Sequence, residues 1–214
     1  MTNTTFIALT IGALFQPQFE ALIPILKSNK IEKELNKESK ENKLLGIKTE
    51  SSRKRILTDI RRRVKYAPVD FWDFYSEAND SQKRIMLFYL ILKAYPIALD
   101  LQFEVVIAKW KKMERKIDKF DLQMRMEELA SSNETMEGWS ETTKSNTTSN
   151  FLRSLEEAGL MKQSEITKPT EQPVTFWKYF IQIGESWFLE ACLLSKTERA
   201  VSYTHLTLPT ILRV

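Results

Sequence analysis

The run Ile85-Met-Leu-Phe-Tyr-Leu-Ile-Leu92 is apolar on every side, and a helix of that kind cannot lie on a surface facing water. Eight apolar residues bounded by Arg84 and Lys93 fall far short of the roughly twenty that a bilayer requires. The run therefore predicts the central helix of a bundle, with no membrane involved. Asp80 or Ser81 is placed to cap it, and Pro96 to end or bend it. Glycine is scarce, with 5 in 214 residues, and Val/Ile/Thr alternation is rare until the last quarter of the chain. The fold class read from this is mainly α: a multi-helix globular bundle with at most a small β-hairpin. The 43% hydrophobic and 11% aromatic content is enough for a real core.

Other helices gather around that run. The start, Met1 to Phe15, lacks a basic n-region and a small-residue cleavage site, so it reads as a short helix, with Pro17 opening the next. That second helix, Phe19 to Leu26, is interrupted by Pro24, and Lys27 to Lys43 alternates Lys and Glu like a solvated helix. Phe71, Trp72, Phe74 and Tyr75 form a short aromatic helix. Nucleic-acid bases can stack on such rings, but clustered aromatics are more often core. Ile97 to Met113 is amphipathic and ends in Lys109, Lys111, Lys112, Arg115 and Lys116, and Phe120 to Leu129 follows with mixed charge.

Thr49 to Tyr66 carries the densest charge. A helix over 51–65, capped by Ser51 or Ser52, aligns Ile56, Leu57, Ile60 and Val64 in one apolar arc. Lys54, Arg55, Arg61, Arg62 and Lys65 fall on the opposite arc, and Arg63 on the flank. Several fixed cations along one face suit a phosphate backbone, because each can displace condensed counterions. A merely solvated basic helix would look the same. Arg53 shares the apolar arc, and a buried unpaired guanidinium is costly, so it is expected to be structural with a carboxylate or carbonyl partner.

Residues 1–130 thus read as a helical domain, 131–139 as a polar linker, and 140–199 as a second, C-terminal part. In that part, Ser140 caps a helix over Glu141 to Ala158 that Gly159 stops. Lys144, Asn146, Ser149, Asn150 and Arg153 occupy its outward side, the small polar and cationic set a recognition helix presents to a groove. A strand around Ser164 to Lys168, a turn from Pro169 to Pro173 and a second extended run over Val174 to Ile183 complete a pattern resembling a winged helix-turn-helix.

The end, Val201-Ser-Tyr-Thr-His-Leu-Thr-Leu-Pro-Thr210, resembles a translated transposase-type sequencing adapter read in frame. Residues 200–214 are accordingly expected to be a non-native tail that packs little. His205, the only histidine, lies there, and Cys192 is the only cysteine. No Ser-His-Asp or Cys-His pair and no Cys/His zinc site can then be built, so neither catalytic nor metal-binding residues and no cofactor are expected. Adjacent carboxylates such as Glu127-Glu128 and Glu156-Glu157 point apart on a helix, and no Gly-rich phosphate loop is present. A single cysteine excludes an internal disulfide and fits a reducing cytoplasm.

The pieces Thr49-Glu-Ser-Ser-Arg-Lys-Arg-Ile56, Asp59-Ile60-Arg61-Arg62-Arg63, Phe151-Leu-Arg-Ser-Leu-Glu-Glu-Ala-Gly-Leu160 and Gly184-Glu-Ser-Trp-Phe-Leu-Glu-Ala191 resemble the BrxA family, the small helical core proteins of bacteriophage-exclusion (BREX) systems. The resemblance implies an all-helical or nearly all-helical cytoplasmic protein without catalysis of its own. It would bind double-stranded DNA beside separate methyltransferase, ATPase and phosphatase-like subunits. Such a protein is expected to be monomeric on its own. Family labels also suggest an inner-membrane location, which the hydropathy opposes, and likeness to an antitermination factor, which keeps RNA binding open. The alternative class is a scaffold whose basic face meets an acidic protein. Salt dependence separates the two, since backbone binding weakens by about 0.9 log units per phosphate for each log unit of salt.

Overall fold

The computed structural model describes residues 5–204. At its centre is α5 (Asp80–Ala94), in which every residue from Ile85 to Leu92 is buried. Asn79, rather than Asp80 or Ser81, caps it. The Asn79 side chain accepts from the Gln82 amide, and the Gln82 side chain accepts from the Asn79 amide. Around α5 pack α1 (Gln16–Leu26), α3 (Glu50–Val64), α4 (Phe71–Glu77), α6 (Pro96–Asp100) and α10 (Glu141–Glu157). Tyr89 of α5 has ring neighbours in Phe71 of α4 at 6.1 Å, and in Phe180 at 5.4 Å and Phe188 at 5.2 Å near the C-terminus. Phe71, Trp72 and Tyr75 are buried, so the aromatic helix is core. One buried apolar cluster runs from Phe6 to Leu193.

Two expectations for the N-terminal region fail. Residues 5–15 form no helix, and Phe15 takes a left-handed conformation at φ 60° just before α1. Pro17 does sit in the first turn of α1, but Pro24 does not interrupt that helix. The corner between α2 (Ile31–Glu41) and α3 is pinned from both sides. Buried Glu38 accepts from the amides of Lys43, Leu44 and Leu45 at 2.9–3.1 Å. From the other side, Arg53 donates to the carbonyls of Ser39 at 3.1 Å and Ile47 at 2.7 Å. Thr49 rather than a serine caps α3, accepting from the Ser52 amide.

From Pro96 to Lys111 the chain is helical without a break, but Leu101–Ile107 is π-helical between α6 and α7 (Ala108–Lys111). Buried Gln102 leaves this π turn to donate to the Ala191 carbonyl at 2.6 Å. Beyond lie α8 (Lys119–Ala130) and α9 (Glu134–Glu137). The stretch expected to be a polar linker, 131–139, thus carries a helix turn whose Met136 is buried. Helix α10 begins and ends as its sequence dictates, with Ser140 accepting from the Thr143 amide and Gly159 following at φ +76°.

The fold is mainly helical with one small antiparallel hairpin, β1 (Met161–Lys162) with β2 (Glu165–Ile166). A third segment flanks β2. Lys116 bridges Glu165, Ile117 donates to the Ser164 carbonyl at 2.9 Å, and Ile166 donates to the Arg115 carbonyl at 2.7 Å. The strand expected over Val174 to Ile183 is instead α11 (Val174–Gln182). Its aromatic, β-branched composition suits a strand, but Phe176, Trp177 and Phe180 recur at helical spacing and are all buried. Last come α12 (Trp187–Ala191) and α13 (Lys196–Thr204). Helix α13 crosses Ala200 unbroken, and Ser202 is buried against the expectation of a loosely packed tail, while Val201 is exposed. His205, Leu206, Leu208 and Ile211 lie outside the described residues.

Candidate nucleic-acid interface

The basic helix α3 is buried over a wider arc than its apolar residues mark. Arg53, Leu57, Asp59, Ile60 and Arg63 are buried, whereas Ile56 and Val64 are half-buried. Arg63, expected on the flank, is fully buried. Its Nη2 lies 2.6 Å from Asp59 Oδ2, one turn back, and its Nη1 donates to the carbonyls of Ala13 at 2.7 Å and Leu14 at 3.3 Å. The guanidinium also lies over the rings of Phe15 and Tyr95, and the Tyr95 hydroxyl donates to the other Asp59 oxygen. Burial pushes the Asp59 carboxyl up from its usual range, against the pull of Arg63 and Arg62. Two charges can enter the core here because they arrive as a close ion pair, each with a further partner: Arg63 Nη1 on the Ala13 and Leu14 carbonyls, Asp59 Oδ1 on the Tyr95 hydroxyl. An Asp and an Arg four apart at the edge of an apolar arc was the available signal in the sequence.

The cations read as outward-facing divide into bound and free. Arg61 donates to Glu32 at 3.1 Å and Asn36 at 2.8 Å, which ties α3 to α2. Arg62 donates to the Tyr95 hydroxyl at 3.2 Å and lies over its ring. Both are half-buried and held by protein partners, so neither stands free on the outward arc where the sequence placed them with Lys54, Arg55 and Lys65. Lys54 is exposed and pairs with Glu50 at 2.6 Å. Arg55 and Lys65 are exposed and hold no partner among the described residues. Arg53 has carbonyl partners, as its place in the apolar arc demands.

On α10 the outward set also divides. Lys144 is not outward: its side chain is only 9% exposed and its ammonium reaches Glu127 at 2.7 Å and Glu141 at 3.2 Å. The Glu127 hydrogen bond, above all, holds its pKa above the ordinary lysine value. Half-buried Asn150 donates to the Leu9 carbonyl at 2.9 Å, fastening the N-terminal segment to α10. Asn150→Ala should therefore cost on the order of 1 kcal/mol of stability and leave any preference between DNA sequences unchanged, which urea titration and competition binding would measure. Asn146 and Arg153 are exposed, Arg153 with Glu157 at 2.9 Å, and with Thr142 and Ser149 they make one stripe along the helix.

Lys54 and Lys65 of α3 do not join that stripe. Residues 13–14 are held on one side by Arg63 and on the other by Glu157, which accepts from the Leu14 amide at 2.9 Å. At about 100° per residue, Lys54 and Lys65 project from the side of α3 opposite Arg63 and so away from α10.

Among the described residues no His/Cys/Asp/Glu group could hold a metal ion, and no helix is long and apolar enough to cross a membrane. Cys192 is fully buried, and burial pushes its thiol well above the ordinary value, so it is a packing residue and not a nucleophile. No curated protein matches the sequence. The BrxA family model does, over residues 7–176, from the irregular N-terminal segment through the hairpin and into α11. With that match extending over most of its length, the chain belongs to the BrxA family.

Proposed function

We propose that this chain is a non-enzymatic, double-stranded-DNA-binding subunit of a BREX phage-defence system, cytoplasmic and monomeric on its own. Membership of the BrxA family makes it a BREX component and implies other defence subunits as partners. In the proposed reading these are the methyltransferase, ATPase and phosphatase-like subunits, and they carry the chemistry. The observation that supports DNA binding most is the outward stripe of α10. Thr142, Asn146, Ser149 and Arg153 give hydrogen-bonding groups and a cation on a rigid helix whose other face is core. Arg55 of α3, which projects about 80° from the Arg63 direction, is a secondary backbone contact in this reading, whereas Lys54 and Lys65 point away from α10.

Fluorescence anisotropy on two unrelated duplexes across a salt series tests it. The intact chain should bind both, with an affinity that falls linearly with log salt. Asn146→Ala with Arg153→Ala should weaken binding at least tenfold and remove any difference between the two duplexes. A flat salt dependence, or affinity unchanged by the double variant, would leave the scaffold reading ahead.

A further inference from the structure

We propose that the edge built from residues 112–119 and the β1–β2 hairpin grips the DNA phosphate backbone, with Lys116 and Lys162 reaching the two strands that border one groove. This rests on the DNA-binding reading but places the main electrostatic contact away from α3.

Topology gives the first support. Helix 96–111 is followed by the extended segment at 115–117, then α8, the single turn α9 and α10, then β1 and β2, with 115–117 lying against β2. That is the element order of a winged helix, in which the helix before the hairpin enters a groove and the hairpin flanks it. The likeness is one of fold alone. The wing expected from the sequence used the wrong partner: its third member lies upstream, at 115–117, and not at 174–183.

Charge gives the second. Residues 109–119 hold six Lys/Arg against two acids. Lys109 pairs with Asp121 at 2.7 Å and Lys111 with Glu190 at 2.9 Å. Lys112, Arg115, Lys116, Lys119 and, on the hairpin, Lys162 have no ion-pair partner among the described residues. Their acidic neighbours are partly committed. Asp118 caps α8, and Glu114 approaches Lys109 at 4.0 Å. Glu165 lies between Lys116 and Lys162 on adjacent strands, so the row stays net positive.

Geometry gives the third. Lys116, Glu165 and Lys162 are exposed on the outer face of the small sheet, while Met161, Ile117 and Ile166 are buried on the inner one. With strands about 4.8 Å apart, the two lysine Cα atoms stand roughly 10 Å from each other, enough for the side chains to straddle a minor groove about 6 Å wide. The support is stiff. Gln163 and Ser164 both take positive φ, 51° and 63°, in a two-residue turn without glycine. Arg115 is held by stacking 3.5 Å over the Trp110 ring. Met113, Phe120 and Met124 are also exposed along this edge. They are what an acidic protein would cover, whereas lysines set on a rigid sheet suit phosphates better.

The test compares the full chain with Lys116→Gln/Lys119→Gln/Lys162→Gln on a duplex across a salt series, with circular dichroism to verify the fold. At about 0.9 per phosphate the magnitude of the salt slope should fall by about 2.7, and affinity near 0.1 M salt should drop on the order of a hundredfold. If the triple variant unfolds, Lys162→Gln alone decides, with a loss of about one unit of slope. Wild-type affinity and slope in the folded variant overturn the proposal and leave this edge to a protein partner, while DNA binding by the intact chain stands. A wild-type chain without salt-dependent duplex binding overturns both readings.

Discussion

Arg63→Ala is expected to lower the unfolding free energy by about 3–5 kcal/mol, the usual consequence of removing one partner of a buried ion pair. The loss comes less from missing attraction than from what stays behind. Asp59 would remain buried beside Tyr95 without its counterion, and the carbonyls of Ala13 and Leu14 would lose their donor. The space between Phe15 and Tyr95 would also empty. Without Arg63, burial should push the Asp59 carboxyl further above its usual range. A carboxyl whose folded pKa is raised binds its proton more tightly in the folded state, so stability falls as pH rises through that window. The defect should therefore be largest at neutral pH and shrink on acidification towards the ordinary carboxylate range. Replacing both charges, Asp59→Leu with Arg63→Met, should cost much less. Urea titrations of the three proteins at several pH values would measure this, and an Arg63→Ala loss below about 1 kcal/mol would refute the role given to the pair.

Phe180→Ala should be about as damaging. Phe180 of α11 is fully buried, with ring neighbours Phe188 at 4.6 Å, Tyr89 at 5.4 Å and Phe176 at 5.5 Å. Truncating it opens a cavity where α11 and α12 meet the central helix, at a cost of about 3–5 kcal/mol. For a chain of this size that is a fall in melting temperature of roughly 6–20 °C. Differential scanning calorimetry would read it. A fall below about 2 °C would mean that α11 contributes little to the core despite its burial.

The sequence announced what depends on neighbours along the chain. The start and stop of α10 followed from Ser140 and Gly159, and the burial of α5 from its unbroken apolar run. Caps were misplaced by one to three residues at α5 and α3, where several Ser, Thr, Asn and Asp residues compete for the same role. What depends on distant segments was not legible. Arg61 is occupied by Glu32 and Asn36, 29 and 25 positions away, and Asn150 by Leu9, 141 away. A helical wheel assigns a face to each residue but cannot tell whether another element already holds it. The strand read over 174–183 failed for a related reason: aromatic and β-branched side chains follow whichever backbone buries them, and here that is a helix.

The π turn at Leu101–Ile107 acts as a spacer that sets phase. A π turn closes its hydrogen bonds one residue later than an α turn and so accommodates an extra residue within a continuous helix. Each residue added or removed rotates everything downstream by about 100°. Upstream of the turn, Ile97 and Ala98 face the core; downstream, Lys109 and Lys111 find Asp121 and Glu190. A chain one residue shorter here could keep its central helix, but its 109–116 segment would leave register with α8 and the hairpin. Length within these seven residues is therefore a stronger lever on the basic edge than most side-chain changes made on the edge itself.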